Sequence, residues 1–277
     1  MKRCFFLLLL QCPYILAPAL GQNGTVSLPK GARSTGMGHA HVTISDAWAV
    51  FNNIGALGMA PHQTQVIAGY DHRMGLDELT TLVAGITAPF RESVAFGIGL
   101  STYGGELFNQ QNIGMGISNK MGIASLGLKI NYFQTNIEGY GRQAAPVLEL
   151  GGTAQLGPHF FFGAHVYNFS RSRLSKITSD YLPTVIKTGI SYRPSENLMV
   201  NVESEKEILL PAQFKTGIEY NVHKALWTRT GINTQPNHLF FGIGFKPQKY
   251  QFDYALSRHF TLGFTHHFSF NYLLSEN

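Results

Sequence analysis

The sequence is poor in charge. Asp, Glu, Lys and Arg make up 13% of its 277 residues, about half the ~25% usual for soluble domains. Cysteine is nearly absent: the chain has only Cys4 and Cys12, both near the amino terminus. The rest of the chain therefore has no disulfide framework, no thiolate metal site and no cysteine nucleophile. Beyond the first residues no run reaches the ~18 uninterrupted apolar residues of a membrane helix. Charge of one sign is also lacking. The formal net charge of +5 is too mild for a nucleic-acid surface. The stretch Gly36-Met37-Gly38 is no dinucleotide loop. His41 stands where the third glycine would be, and SLPKGARST ahead of it is not a strand.

What is present begins with MKRCFFLLLLQCPYILAPALGQ. Lys2 and Arg3, the apolar FFLLLL and the small Ala17, Ala19 and Gly21 predict a signal peptide over residues 1–21, cleaved near Gln22. Cys12 comes too early for a lipoprotein cysteine, and LLLQC lacks the small residues that precede one. Both cysteines leave with the leader. Secretion without disulfides suits a bacterial envelope protein.

Glycine is abundant, aromatics reach 12% and mean hydropathy is −0.02. From residue 63 onward the chain alternates in character. SVAFGIGLS puts Val94, Phe96, Ile98 and Leu100 on one face and Ala95, Gly97, Gly99 and Ser101 on the other. IASLGLKINY, HLFFGIGFK and TLGFTHHFSFNY behave alike. Period two repeated in this way predicts strands. Fourteen segments begin near Gln63, Leu79, Ser93, Glu106, Ile123, Pro146, His159, Pro183, Asn197, Pro211, Ala225, His238, Tyr250 and Thr261. An even number of ~10-residue strands predicts an all-β, transmembrane antiparallel β-barrel over residues 63–277. Short connections (PFRES, NKMG, LGPH, RPSEN, NVHK, KPQK) alternate with longer ones (DHRMGLDE, TYGGELF, QTNIEGYGRQAA, SRSRLSKITSDYLP). Short periplasmic turns and longer outer loops alternate in this way. A soluble β-sandwich or lipocalin-like barrel is the runner-up, but its outer face would be polar.

The face without aromatics carries Lys129, Lys187, Arg193, Glu203, Glu205, Lys215, Glu219, Arg229, Lys246 and Asp253. Opposite charges on neighbouring strands predict a lumen lined with ion pairs, Lys187, Glu203, Lys215, Glu219, Arg229 and Asp253 among them. Catalytic residues are not expected. His266 and His267 are adjacent and face opposite ways in a strand. His39 and His41 would share a face if extended, but no third ligand follows at a metal-binding spacing. No metal and no cofactor are expected, and the chain reads as a non-enzyme.

Residues 31–58, GARSTGMGHAHVTISDAWAVFNNIGALG, precede the first strand and are rich in small residues. Segment 22–62 is expected to act as a plug or latch inside the barrel. Gly36, Gly38 and Gly55 would permit close backbone approach, and Asn53 would join the packing. Asp46 would cap a short helix starting at Ala47. Arg33 would need lumen carboxylates, with Glu203, Glu219 and Asp253 as candidates, because an unpaired buried charge is costly.

This run resembles the N-terminal signature of the PorV/PorQ and FadL-like outer-membrane barrels of the Bacteroidetes type. These carry a G-A-R-x-x-G-M-G-x-A stretch and then an Asn-Pro-Ala-Gly-Leu-like element. Here the second part reads Asn52-Asn53-Ile54-Gly55-Ala56-Leu57, with Ile54 in the place of the proline. The resemblance implies an outer-membrane location and two functions. FadL-like barrels pass hydrophobic molecules such as fatty acids through a plugged lumen with a lateral opening. PorV-like barrels are partner subunits in type IX protein secretion and envelope assembly. Only about 255 residues remain after the leader for fourteen strands, so loops are short and no greasy pocket is visible. The expectation is a PorV-like accessory barrel, with a FadL-like channel as the alternative. The implied partners are outer-membrane lipid, a larger membrane protein or secretion cargo, or a hydrophobic ligand, and not nucleic acid.

Overall fold

Fourteen antiparallel strands close on themselves in the computed structural model, which describes residues 28–174, 181–234, 237–259 and 262–276. The predicted leader, both cysteines and part of the SRSRLSKITSDYLP connection lie outside the described residues. The first seven strands are β1 (Gln63–Arg73), β2 (Thr81–Arg91), β3 (Val94–Gly104), β4 (Phe108–Met121), β5 (Ala124–Ile137), β6 (Gly141–Gln155) and β7 (Phe160–Tyr167). The second seven are β8 (Val185–Ser195), β9 (Leu198–Glu207), β10 (Gln213–His223), β11 (Leu226–Thr234), β12 (Asn237–Phe245), β13 (Tyr250–His259) and β14 (Gly263–Glu276). Each strand pairs with its sequence neighbours. β1 pairs with β14 from Gln63↔Glu276 to Arg73↔Thr265, which closes the ring.

Alternation decides which side each residue takes. Phe96, Ile98, Leu128, Ile243 and Phe264 stand exposed on the outer surface. Between them, Gly97, Lys129, Glu203 and Asp253 turn inward. The apolar side is the outer one, the reverse of a soluble β-protein. The chain is an outer-membrane β-barrel, and no described helix is long and apolar enough to cross a membrane.

The connections depart from the expected alternation in two places. TYGGELF and QTNIEGYGRQAA are mostly strand. β3 and β4 pair out to Gly104↔Asn109, and β5 and β6 out to Ile137↔Gly141. The physical reason is at Gly139 and Gly141, whose φ values of 78° and 82° close a tight turn. The side chains before and after keep alternating, so the ladder continues. Strands β4, β5 and β6 thus reach 14, 14 and 15 residues, against 8 in β7. Above Leu148, β6 loses β7 as a neighbour. Leu148 instead receives the Phe169 N–H at 3.2 Å, and the Pro146 carbonyl accepts from Ser172. Pro146, which has no N–H to donate, is tolerated there as an edge residue.

Residues 28–60 lie inside the ring. They form α1 (Ala32–Gly36), α2 (Ala49–Asn52) and a 3₁₀ turn (Ile54–Met59). α1 packs against β11–β14, and the 3₁₀ turn packs against β3–β6 on the opposite wall. Trp48, Val50, Ile54, Ala56 and Leu57 build an apolar cluster with Ile67 and Val83. Gln63 and Glu276 pair at one end of the barrel, the inner end.

Candidate functional site

The candidate site is the lumen, built from the small inward residues and the segment they admit. Gly217 and Gly231 face Met37 and Gly38 so closely that a Cβ on either would overlap that backbone. Gly127 stands in the same relation to Ile54 and Gly55 on the far wall, and a Cβ on Gly151 would overlap the Asn53 side chain. Gly38 itself has φ 65°, a left-handed conformation that favours glycine. A Cβ there would come within 2.7 Å of the Ile232 nitrogen. Gly36 meets Gly242 and the Arg229 side chain, and Gly55 meets Gly151 and Gly152. Asn53 donates to the Val42 carbonyl at 2.6 Å and to the Gly152 carbonyl at 3.2 Å, so one side chain ties the segment to itself and to β6.

Ion pairs fill most of the remaining inner surface. Arg33 donates to both Glu219 oxygens, at 2.6 and 2.9 Å, and to Asp46 at 3.1 Å. Glu219 also accepts from Arg229 at 2.5 Å, and Arg229 reaches Asp253 at 2.6 Å. That reach crosses β12 over Gly244, where a Cβ would come within 2.7 Å of the guanidinium. Lys215 is 2.5 Å from Glu205 and 3.5 Å from Glu203, and Lys187 is 3.5 Å from Glu205. Arg33 therefore meets Glu219 from the expected set, but not Glu203 or Asp253. Glu203 is taken by the His41 and Val42 N–H groups, both at 2.7 Å, and Asp253 by Arg229. Asp46 supplies Arg33 with its second carboxylate and accepts the Trp48 N–H at 2.9 Å. α2 itself starts at Ala49.

Burial raises the Asp46 carboxyl, with Arg33 opposing. Burial works against the Arg33 charge too, but Glu219 and Asp46 outweigh it and hold the guanidinium protonated. His39 and His41 do not share a face. His39 has φ 65° and lays its ring on Phe240 at 4.7 Å, while His41 is buried with Nδ1 2.7 Å from the His39 carbonyl. Burial holds both imidazoles neutral, reinforced by Lys215 at His39 and by Lys187 at His41. Among the described residues no cluster of three metal-ligating side chains occurs. Lys246 follows β12 and is exposed in a turn, not in the lumen.

Alternation also placed residues that the sequence reading did not single out. Glu149 lies between the outward Leu148 and Leu150 and gathers Lys129 at 3.3 Å, Asn131 at 2.6 Å and His165 at 3.0 Å. Asp71 pairs with His267 at 2.8 Å, and His267 lies 3.3 Å from the Ser257 hydroxyl. This array has the order of a charge relay, but its three side chains are buried and bind β1, β14 and β13 together across the closing seam.

Two of the cavities among the described residues lie within the lumen. One opens at the inner end with a volume of about 510 Å³. Ile44, Phe161, Met199 and Trp227 make its apolar wall, with Arg33 and Arg193 beside them. Arg193 lies over the Phe161 ring at 4.0 Å and donates to the Thr43 carbonyl at 3.0 Å. The second is a small chamber of about 20 Å³ nearer the outer end, between Lys30, Phe51 and the inner faces of β5, β6, β7 and β8.

No protein-family model matches the chain, and no curated protein matches it by sequence. Solved structures do. The toluene transporter TodX of Pseudomonas putida superposes with a TM-score of 0.66 at 14% identity, over 90% of this chain and 100% of that one. A Pseudomonas aeruginosa FadL homologue gives 0.63 at 12%, over 86% and 97%. The Acinetobacter baumannii outer membrane protein Omp33 gives 0.52 at 10%, over 77% and 98%. At these identities the likeness is one of fold: this chain has the fold of the outer-membrane barrels that include TodX and the FadL homologue.

Proposed function

We propose that the chain is a plugged outer-membrane channel of the FadL type that passes hydrophobic small molecules. The observation that carries this reading is the inner-end cavity. Ile44, Phe161, Met199 and Trp227 gather around a space of about 510 Å³ that Arg33, Arg193, Glu196 and Glu219 also line, within the usual range for small-molecule pockets. Segment 28–60 acts as the plug. Arg33, Gly36, Gly38, Asp46, Asn53 and Gly55 hold it, and passage requires part of it to shift. The fold shared with a toluene transporter and a FadL homologue supports the reading without fixing it, since one fold hosts several functions.

The PorV-like partner-subunit reading draws on a different observation. Among the described residues the connections build no outer catching platform, and the N-terminal segment fills much of the lumen. One experiment separates the two. Cells making the parent or Met199→Arg, which drives a charge into the cavity, are compared for uptake of radiolabelled toluene and oleate. Membranes from both are extracted in mild detergent and the tagged barrel is recovered. A several-fold drop in uptake of either compound, at equal barrel abundance, supports the channel. Unchanged uptake, with a stoichiometric membrane protein in the recovered fraction, supports the partner subunit.

A further inference from the structure

The small outer chamber has a composition that the ion-pair network does not explain. Three ammonium groups, Lys30, Lys129 and Lys187, line it against one carboxylate, Glu149. Glu149 is already engaged by Lys129, Asn131 and His165. Lys187 leans on Glu205, which Lys215 shares with Glu203. With Arg73 and Asp71, which pair with each other and whose charges also reach Lys30, five cations around this chamber face four carboxylates, and the one left over is Lys30. Its side chain is nine-tenths buried and has no hydrogen-bond or ion-pair partner among the described residues. Its backbone is held in place, because the Lys30 N–H donates to Asn52 Oδ1 at 2.8 Å and its carbonyl accepts from Asn52 Nδ2 at 2.9 Å. The Lys30 side chain lines the chamber from this anchored backbone.

A second, independent observation points the same way. The Tyr167 hydroxyl lines the same chamber, is buried, and has no partner. A buried hydroxyl without a partner is destabilising, and an unpaired buried charge is more so. Asn112, whose buried Oδ1 also lacks a partner, lines the chamber too and can turn its amide N–H to the same point, so donors from three sides converge on one acceptor. The volume of about 20 Å³ exceeds the ~10–15 Å³ that one water requires. It excludes anything with an apolar tail. A water would satisfy the hydroxyl but would leave the excess charge.

We propose that this chamber is a binding site for one compact monovalent anion of halide size, held by Lys30 and Tyr167 and flanked by Lys129 and Lys187. Lys30 belongs to the N-terminal segment, and Tyr167 and Lys187 to β7 and β8. The anion therefore bridges the segment to the wall, and halide stabilises the seated segment.

The test uses the purified full chain in detergent. Crystals are soaked in sodium bromide and anomalous differences collected at the bromine edge. In parallel, melting is followed in sodium chloride against sodium gluconate at equal ionic strength. The expected result is a bromide peak between Lys30 Nζ and the Tyr167 hydroxyl. Chloride should raise the melting temperature saturably above gluconate, by linkage to the folded state. Both signals should be lost in Lys30→Met and weakened in Tyr167→Phe. If Lys30→Met fails to assemble, Tyr167→Phe reads the same site with its ring intact. A chamber holding water alone, with bromide only elsewhere and equal melting in the two salts, overturns the proposal.

Discussion

Single side chains in this lumen have measurable consequences because so few of them meet water. Lys30 is buried, and its ammonium is pushed down to about 8 from 10.5 by burial and by Arg73, with Lys129 and Lys187 adding to the effect and Asp71 opposing it. A cation with a depressed folded-state pKa withholds stability while it is charged. Between pH 8 and 10.5 the unfolded chain holds that proton more tightly, so stability rises with pH across this window. The gain is roughly 3 kcal/mol at most. Melting temperature measured from pH 7 to 11 should climb more steeply in the parent than in Lys30→Met, in gluconate buffer; equal slopes would contradict the assignment. Arg229 is the opposite case, fully paired with Glu219 and Asp253. Arg229→Met leaves Asp253 with only Gln251 Nε2, at 2.7 Å, and should cost about 3–5 kcal/mol. Heat resistance of the folded barrel on gels should fall accordingly. Alternation showed that these charges face inward. Their partners, such as Asp253 for Arg229 two strands away, depend on register and on the absence of a side chain at Gly244, which period two does not encode.

At the scale of elements, the strands were legible and the segment inside them only partly so. HLFFGIGFK names its outward and inward faces by itself, and β12 follows it from Asn237 to Phe245. Ile243→Arg should therefore cost roughly 2–4 kcal/mol near mid-membrane and less toward an interface. Urea titration of the refolded barrel in lipid vesicles measures it, and a parent-like midpoint would mean that Ile243 does not face lipid. QTNIEGYGRQAA misleads because Gly, Asn and Gln suggest a loop, while its neighbours keep pairing up to a three-residue turn at 138–140. The N-terminal segment has no period at all. Its small residues signalled close packing, but the turn at Gly38 and His39, which sets the histidines apart, is local geometry. Gly38→Val places a branched side chain at φ 65° against the β10 and β11 backbones. Folded, heat-resistant barrel should drop several-fold while export of the chain is unchanged, as read by fractionation and gel mobility.

For the whole molecule, the barrel and its strand number could be read from fourteen alternating segments, and the lumen's contents could not. The inner-end cavity joins Ile44, Phe161, Met199 and Trp227, residues from four distant stretches with no pattern in common. Whether residues 31–58 block passage is a property of the assembled ring. Their deletion should raise ion conductance in planar bilayers well above that of the parent. Unchanged conductance, with 31–58 cut readily by protease in the folded parent, would make the segment a tail and not a plug.

Trp48 has a consequence for the closing of the ring. Its indole N–H donates to Asn271 on β14 at 2.8 Å, and its ring lies against Gly69 on β1. Nearby, the Ala32 N–H reaches the Ser269 hydroxyl, again on β14, at 3.1 Å. The first and last strands thus meet over a side chain that precedes both in the chain. Seating of the segment and closure of the ring are therefore coupled: each contact that holds Trp48 and Ala32 also braces the seam where the two ends of the sheet meet.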